Sequence, residues 1–525
     1  TLGLTDLRIG VDSGGNGTYN LGGTSNLTAA NETIGNSGTG TFTHSGGTNA
    51  ISNGLFIGNN GGSSGTYSLS DTGTVSATDE YVGRYGTGSF AQTSGTNTVS
   101  NRLYLGTYSG ASGTYDLSGS SDVSANIFYF GNAGTGEFNQ SGTSTATTNE
   151  LWLGYYSGGN ASYNLSETGS LSATDETIGR SGTGTFTQTS GTNTVSNNLT
   201  IGQNTDGSGT YTISNGTLGV SGSIVNGAGT GTLNIDGGTV NAGTIGVDNL
   251  NIANSAGTNG SHTLGTGESI TAGAETIGNS GTGIFTQIGG THTVSSELFI
   301  GKNSGGSGTY NLSGTGSLTS YTLDLGFNGT GLFVQTGGTH TNGAMGIATD
   351  IGSSGTYSLS GTALLSSGGQ YVGSSGTGVF MQTGGTNTIT NDLNMGLNSG
   401  SSGTYTISGG TLDVTGSIVN GLGDSTLNNN GGTLNVGGTM DVDTYGLGIT
   451  SGSNVSHNTA TTPNFTFDNL NVGGSGTGAF THSDGSTVSL TNLSLGINAG
   501  GSGTYNLGGT SNLTAANETI GNSGT

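Results

Sequence analysis

Cysteine is absent from this sequence, proline occurs once, at Pro463, and there are only five basic residues. Without cysteine the chain has no disulfide, no thiol chemistry and no cysteine-ligated zinc. Twenty-nine acidic residues give a net charge of −24, so the chain lacks the basic surface that binds nucleic acid or anionic lipid. No run of about 18 apolar residues occurs, which excludes a membrane-spanning helix. The basic residues are Arg8, Arg84, Arg102, Arg180 and Lys302.

Charged residues make up 6% of the chain, whereas glycine contributes 112 residues. Large apolar side chains are too few to fill a thick globular core. The chain must therefore either stay disordered or spread these side chains along a thin, repetitive core. Apolar and aromatic residues recur at fixed spacing, which favours the thin core. The glycines do not follow the three-residue period of collagen.

A tyrosine or phenylalanine recurs about every 24 residues. The tyrosines follow the pattern G-T-Y-x-[LI] and the phenylalanines follow G-T-G-x-F, and within each pattern the spacing is 48 residues over the first 211 positions. Four weaker units raise the number of repeats to about 21. The aromatic anchors, which we expect to form rows in the core, are Tyr19, Phe42, Tyr67, Phe90, Tyr115, Phe138, Tyr163, Phe186, Tyr211, Phe285, Tyr310, Phe333, Tyr357, Phe380, Tyr405, Phe480 and Tyr505.

Each repeat contains three short runs with apolar residues at i and i+2, separated by Gly, Ser and Asn. Runs of period two predict strands, and the Gly, Ser and Asn residues between them predict turns. No segment has the apolar spacing of a helix. We therefore expect an all-β fold: a right-handed parallel β-helix, or β-solenoid. It should have about 21 coils, each with about 24 residues and three short strands, that bury their inner faces by stacking.

The whole chain, residues 1–525, is expected to form one continuous solenoid. The 48-residue spacing is irregular over about 228–262 and 424–470, so we expect extra loop residues to protrude near 244–262 and 440–462. Residues 18–39 recur unchanged at 504–525, which indicates recent duplication within a longer repetitive chain. We expect that chain to continue past both ends, covalently or by end-to-end stacking, since open solenoid ends template further strand pairing.

The sequence G-S-G-T-Y-N-L-S-G-x-G-S-L followed by E-T-I-G-N-S-G-T-G-x-F resembles the strand repeats of large bacterial surface proteins. These include autotransporter-type passengers and related giant adhesins, filaments and sheath proteins. The resemblance covers essentially the whole chain. It implies a right-handed β-solenoid exported to the cell surface, with the function of a stalk, an adhesin or a filament.

No catalytic or metal site is predicted. Neighbouring carboxylates such as Asp79–Glu80 and Asp175–Glu176 have the residue types of an acid/base pair, but they recur at the same repeat position, as a repeated corner would. His292 and His340 lie two coils apart, about 9.6 Å, too far to share an ion. We expect no cofactor. Scattered calcium contacts are the one alternative that the many acidic residues leave open.

The glutamate of the E-T-I-G segment, which reads E-Y-V-G at Glu80, occurs where strand alternation points a side chain inward. An ionised carboxylate there is unfavourable unless donors surround it or its pKa is raised. Two interpretations stay open: an inward carboxyl, or a bulge at the corner that lets the side chain reach solvent. The second is favoured. The glutamates are Glu32, Glu80, Glu176, Glu275 and Glu518.

An aromatic surface patch is predicted along residues 81–156. One outward position of the closing strand is aromatic in four successive coils, and further tyrosines follow just past the corner. Stacking the coils should align these rings as a ladder, which either stabilises the solenoid or forms a packing or glycan-binding surface. The patch comprises Tyr81, Tyr85, Tyr104, Tyr108, Tyr129, Trp152, Tyr155 and Tyr156.

The function expected from these features is that of an extracellular structural repeat protein on the bacterial surface, which forms a long stiff rod, sheath or fibre. Its partners would be further copies of itself, by end-to-end or lateral packing, with glycans or neighbouring cell surfaces as a second class. The alternative is a surface adhesin that binds glycans through the aromatic patch. Ice binding is less favoured because the rows of threonines are interrupted in many coils. A polysaccharide-active enzyme is less favoured because the basic residues, which such an enzyme clusters with carboxylates, are scattered.

Overall fold

A computed structural model of the chain describes residues 1–458, 464–483 and 485–525. The described residues contain strands and turns but no helix, and each strand pairs in parallel with the equivalent strands of the adjacent coils. The predicted all-β solenoid is thereby confirmed, with about 22 turns of about 23 residues each.

The chain divides into two compact units, Thr1–Leu250 and Asn251–Thr525. That the whole chain is one continuous solenoid stays a prediction. The strands up to the boundary are Leu2–Gly3, Asp6–Ile9, Asn16–Leu21, Asn26–Ile34, Thr39–His44, Thr48–Ile57, Ser64–Leu69, Thr74–Val82, Thr87–Gln92, Thr96–Leu105, Ser112–Leu117, Asp122–Phe130, Thr135–Gln140, Thr145–Leu153, Asn160–Leu165, Ser170–Ile178, Thr183–Gln188, Thr192–Val195, Leu199–Ile201, Ser208–Ile213, Thr217–Asn226, Thr230–Ile235 and Thr239–Ile252.

The last of these strands contains the boundary between the units. The strands that follow it are Asn259–Leu264, Ser269–Ile277, Thr282–Gln287, Thr291–Ile300, Ser307–Leu312, Ser317–Leu325, Thr330–Gln335, Thr339–Ile347, Ser354–Leu359, Leu364–Val372, Thr377–Ile389, Leu393–Met395, Ser402–Val414, Ile418–Asn420, Asp424–Asn429, Thr433–Val436, Met440–Leu447, Asn454–Asn458, Asn464–Val472, Thr477–His482, Thr487–Leu495, Ser502–Leu507 and Asn512–Ile520.

Most coils combine a six-residue strand with a longer strand that bends. In Ser64–Leu69 alternate side chains are buried, as the period-two pattern requires. In Thr74–Val82 the alternation holds up to Ala77, then two half-buried residues form the bend, and the inward positions resume at Glu80. Two of the three predicted strands are thus joined without an intervening turn. The three faces of the coil persist nevertheless.

The aromatic anchors form rows along the core of each unit. Nine rings from Tyr19 to Tyr211 stack face to face in the first unit, with centroid separations of 4.6–5.1 Å. Six rings from Phe285 to Tyr405 also stack face to face in the second, with centroid separations of 4.4–4.9 Å. These separations match the spacing of parallel strands, because each ring lies one coil from the next. All the anchors are fully buried except Tyr19 and Tyr505, which are partly exposed.

The expectation of protruding loops near 244–262 and 440–462 is wrong for most of the described residues. Residues 244–252 and 440–447 belong to the strands Thr239–Ile252 and Met440–Leu447. The part of the expectation that falls on residues 459–462, together with Pro463, lies outside the described residues. Extra chain length here is taken up by paired strand, because a stacked strand satisfies backbone groups that a loop would leave to solvent.

The register of the second unit changes where this extra strand occurs. Met440 pairs with Ile418, which lies in the column of Gln370, whereas Tyr445, in the same strand, pairs with Leu427, which lies in the column of the aromatic anchors. In the next coil Tyr445 pairs with Leu470, which occupies the repeat position of Gln370. The chain therefore adds about a third of a coil, so that the column of the aromatic anchors continues as the column of the Gln370 position.

Candidate functional site

The outward aromatic rings of residues 81–129 form a stacked row. Tyr81 and Tyr104 lie 4.8 Å apart and Tyr104 and Tyr129 lie 5.1 Å apart, with interplanar angles of 8° and 11°. The row begins one coil earlier than the sequence predicts, since Phe56 stacks on Tyr81 at 5.1 Å. Sequence reasoning missed Phe56, although it occupies the same position of the repeat.

The tyrosines beyond the corner form a second, shorter row. Tyr85 and Tyr108 stack at 4.2 Å and 6°, and about two fifths of each side chain is exposed. A cluster with a different geometry follows: Tyr155 packs edge-on against Trp152 at 5.3 Å and against Tyr156 at 4.7 Å. The eight predicted residues therefore form two stacked rows and an edge-to-face cluster, not one ladder.

Three of the five basic residues of the chain border these rings. The guanidinium of Arg84 lies 5.1–5.7 Å from the ring centroids of Phe56, Tyr81 and Tyr85. Arg180 lies 4.3 Å from Tyr155, and Arg102 donates to the hydroxyl of Tyr104 at 3.4 Å. The sequence contains a signal for this contact between arginines and rings, because Arg84 follows Tyr81 by three residues.

The ring hydroxyls of the row stay protonated over the physiological range. Burial, and then the charge of Asp79, raise the pKa of Tyr81 to about 12. Burial, followed by the neighbouring tyrosines, raises the pKa of Tyr129 to about 12. The pKa of Tyr104 is also raised, mainly by burial, and the Arg102 hydrogen bond opposes that rise.

Stacking limits what this surface can bind. The two faces of Tyr81 are covered by Phe56 and Tyr104, and those of Tyr104 by Tyr81 and Tyr129. A sugar ring that stacks on an aromatic side chain needs a free face, and within the row only ring edges and hydroxyls are presented. The stacked rings of this row therefore stabilise one another.

The glutamates of the E-T-I-G segments lie in the core, so the interpretation that they reach solvent is wrong for four of the five. Glu32, Glu80, Glu176 and Glu275 have at most 1% of their surface exposed, whereas Glu518 is exposed. The two half-buried residues at the bend restore the alternation that turns each side chain inward.

The buried carboxyls belong to a repeated hydrogen-bond network. Asn97 donates to Glu80 Oε2 at 2.9 Å and to the hydroxyl of Tyr115 at 3.0 Å, and Tyr115 donates to Gln92 Oε1 at 2.6 Å. Burial raises the pKa of Glu80 to about 7, although the Asn97 hydrogen bond lowers it. The neighbouring Asp79 lies on the outward side and accepts from Asn101 at 2.8 Å. Adjacent carboxyls thus point to opposite faces of the strand and cannot act on one substrate.

Histidines occupy the same interior. His44 Nδ1 lies 2.9 Å from the hydroxyl of Tyr67, and His292 Nε2 lies 2.7 Å from Glu275 Oε2. His292 and His340 recur two coils apart in sequence and are both buried. Within the described ranges, no group of three or more His, Cys, Asp or Glu side chains is placed to hold a metal ion. The histidines have the environment of core polar groups.

Comparison with known protein families, with curated proteins and with solved structures gave no match. Among the described residues, no helix has the length and hydropathy needed to cross a bilayer.

Proposed function

We propose that this chain is a structural repeat element of a long stiff rod, filament or sheath at a bacterial cell surface. The observation that carries the proposal is the row of nine stacked rings from Tyr19 to Tyr211, in which each coil buries the anchor of the next. Such a core can be lengthened coil by coil without redesign, because each repeat contacts only its neighbours.

The chemistry of the side chains supports a structural function over a catalytic one. The glutamates with raised pKa values, Glu32, Glu80 and Glu176, are enclosed by stacked coils and bonded to asparagines. A general acid must touch its substrate. Buried in this way, these groups stabilise and order the core.

The cell-surface location rests on the resemblance to bacterial surface repeats and on composition. A net charge of −24 with 6% charged residues gives a polar, weakly adhesive surface that suits a solvent-exposed fibre. Glycan binding through the aromatic patch is the alternative function. It rests on the exposure of Tyr85, Tyr108 and Tyr156, and the covered faces of the stacked row weaken it.

Duplication of whole coils tests the structural proposal. Residues 64–207 end one residue before the next equivalent strand, Ser208–Ile213, so their tandem duplication preserves the register. Six added coils should lengthen the particle by roughly 29 Å at ~4.8 Å per coil, measured by small-angle scattering, with an unchanged cross-section. A Gly/Ser insert of equal length at the same place is the control.

A duplicated chain that grows in width, or whose extra coils are proteolysed as fast as the Gly/Ser insert, would contradict the proposal. Antibody labelling of intact producing cells tests the location separately. Labelling without permeabilisation supports the surface assignment, and labelling only after permeabilisation refutes it.

A further inference from the structure

A groove crosses the outward face of the second unit where one coil carries only small side chains. Its floor holds Ala344, Gly346 and Thr349, and its cavity volume is about 370 Å³. In the column of Gly346 the neighbouring coils carry Asp324 on one side and Tyr371 on the other. The two walls are therefore separated by two coil spacings, roughly 9.6 Å.

The first wall supplies hydrogen-bond acceptors. Asp324 Oδ1 accepts from the Thr349 hydroxyl at 3.0 Å, and the two described ion pairs do not include this carboxylate. Thr322 Oγ1, which also lines the groove, is buried without a hydrogen-bond partner. Burial and then the charge of Glu297 raise the pKa of Asp324, against the Thr349 hydrogen bond, so a cation placed here would relieve an unfavourable negative charge.

The second wall supplies an aromatic ring without a cation. Two outward rings at the equivalent position have a cation three residues later: Arg84 lies over Tyr81, and Lys302 lies 4.2 Å from the centroid of Phe299. Tyr371 is followed at that distance by Ser374, and no cation of the described residues lies over its ring.

The second unit has no further lysine or arginine that could cover this ring. Lys302 is the only basic residue of the sequence from 251 to 525, and it already packs on Phe299. The groove thus combines a carboxylate, an unpartnered hydroxyl and an uncovered aromatic ring. A guanidinium group complements all three, since it carries five N–H donors on a plane that stacks on aromatic rings.

We propose that this groove binds a guanidinium group, which stacks on Tyr371 and donates to the carboxylate of Asp324. The group belongs either to a free guanidino compound or to an arginine side chain of another polypeptide. The site is independent of the structural function proposed above, because the groove requires only that this chain folds as a solenoid.

The test is a titration with N-acetyl-L-arginine amide, with the isosteric and neutral N-acetyl-L-citrulline amide as the matched ligand control. The full chain is labelled at its methionine methyl groups, because Met345 lines the groove and Met440 lies in a different coil. We expect the Met345 signal to shift and saturate at millimolar arginine compound while Met440 stays unchanged. Equal shifts with the citrulline compound, or no shift of Met345, would overturn the proposal.

Three variants locate the site. D324N and Y371T should each weaken binding at least tenfold, and G346T should abolish it by filling the floor. Threonine occupies the equivalent outward position at Thr33 and Thr177, and a Cβ at Gly346 would displace the side chains of Thr349 and Asp324 but no backbone, so the fold accepts G346T. Y104T, in the aromatic row of the first unit, should leave binding unchanged. Unaltered affinity in D324N refutes the site even if another variant fails to fold.

A short peptide, Ac-Gly-Gly-Arg-Gly-Gly-amide, distinguishes the two sources of the guanidinium. Tighter binding of the peptide than of the free compound supports an arginine presented by another chain. Equal or weaker binding supports a free guanidino compound. Failure of both to bind overturns the proposal.

Discussion

His292 Nε2 lies 2.7 Å from Glu275 Oε2, and both side chains are completely buried. His292 Nδ1 lies 2.9 Å from the hydroxyl of Tyr310, which in turn donates to Gln287 Oε1 at 2.6 Å. At the equivalent place of other coils an asparagine bonds the glutamate, as Asn97 bonds Glu80. The core therefore accepts either side chain, provided that the carboxyl keeps a partner.

Replacement of His292 tests this requirement. H292N recreates the asparagine–glutamate pair of other coils, and we expect it to change the free energy of unfolding by less than ~1 kcal/mol. H292L leaves the Glu275 carboxyl buried without this contact, which costs about 1–3 kcal/mol. Urea unfolding of both variants provides the measurement. Equal stability of H292L and H292N would show that the contact contributes nothing.

The buried carboxyls of the first unit predict that stability falls as pH rises. Burial raises the pKa values of Glu32, Glu80 and Glu176 to about 7, above the ordinary 4.5. The folded protein therefore holds these protons more tightly than the unfolded chain. This stabilisation is complete below about pH 4.5 and lost as the pH rises to about 7. At ~1.4 kcal/mol for each tenfold change in proton affinity, the loss is roughly 3 kcal/mol per carboxyl.

Replacing these glutamates with glutamine tests the direction of this pH dependence. Gln370 occupies the equivalent position of the second unit, where it donates to Asn387 Oδ1 at 2.9 Å, so glutamine fits this place. The triple variant E32Q/E80Q/E176Q should lose the decline between pH 5 and pH 8 and should be more stable than the wild type at pH 8. Urea midpoints at the two pH values measure this. An unchanged pH dependence in the variant would contradict it.

The sequence predicts the repeat and its inward rows because both depend on local periodicity. Spacing of 48 residues and alternation of apolar side chains place Tyr67 and Phe90 in one row, and these rings stack at 4.7 Å. Alternation points Glu80 inward, but it does not exclude a bulge at the corner that turns the side chain to solvent. A shift of one residue at the bend inverts the face, and the geometry of that bend is not readable from Thr78 and Asp79.

Features that depend on contacts between coils were harder to predict. Extra residues near Tyr445 have the composition of either a loop or a strand, and pairing with Leu427 decides in favour of the strand. The sequence predicts one aromatic ladder from Tyr81 onward, whereas its start at Phe56 and its division into rows follow from contacts between coils. The groove at Gly346 arises because this position has no side chain, and no sequence motif marks such a groove.

The close approach of successive coils predicts that one corner glycine is indispensable while a strand glycine is not. Gly83 has φ +73°, and a Cβ on it would lie 2.0 Å from the backbone oxygen of Ser112 in the next coil. G83A therefore adds left-handed strain to a clash with backbone that cannot move alone, together roughly 2–6 kcal/mol. Gly219 has no atom within 4 Å of a Cβ and no positive φ, so G219A should be neutral or slightly stabilising.

Unfolding of a solenoid proceeds locally, so hydrogen exchange measures this pair of variants better than a single midpoint. We expect G83A to speed amide exchange in the strands next to the corner, Thr74–Val82 and Ser112–Leu117, by at least tenfold. Exchange in G219A should match the wild type throughout. Because both variants add the same methyl group, a similar exchange pattern in the two would mean that adjacent coils do not approach as closely at Gly83 as the 2.0 Å separation requires.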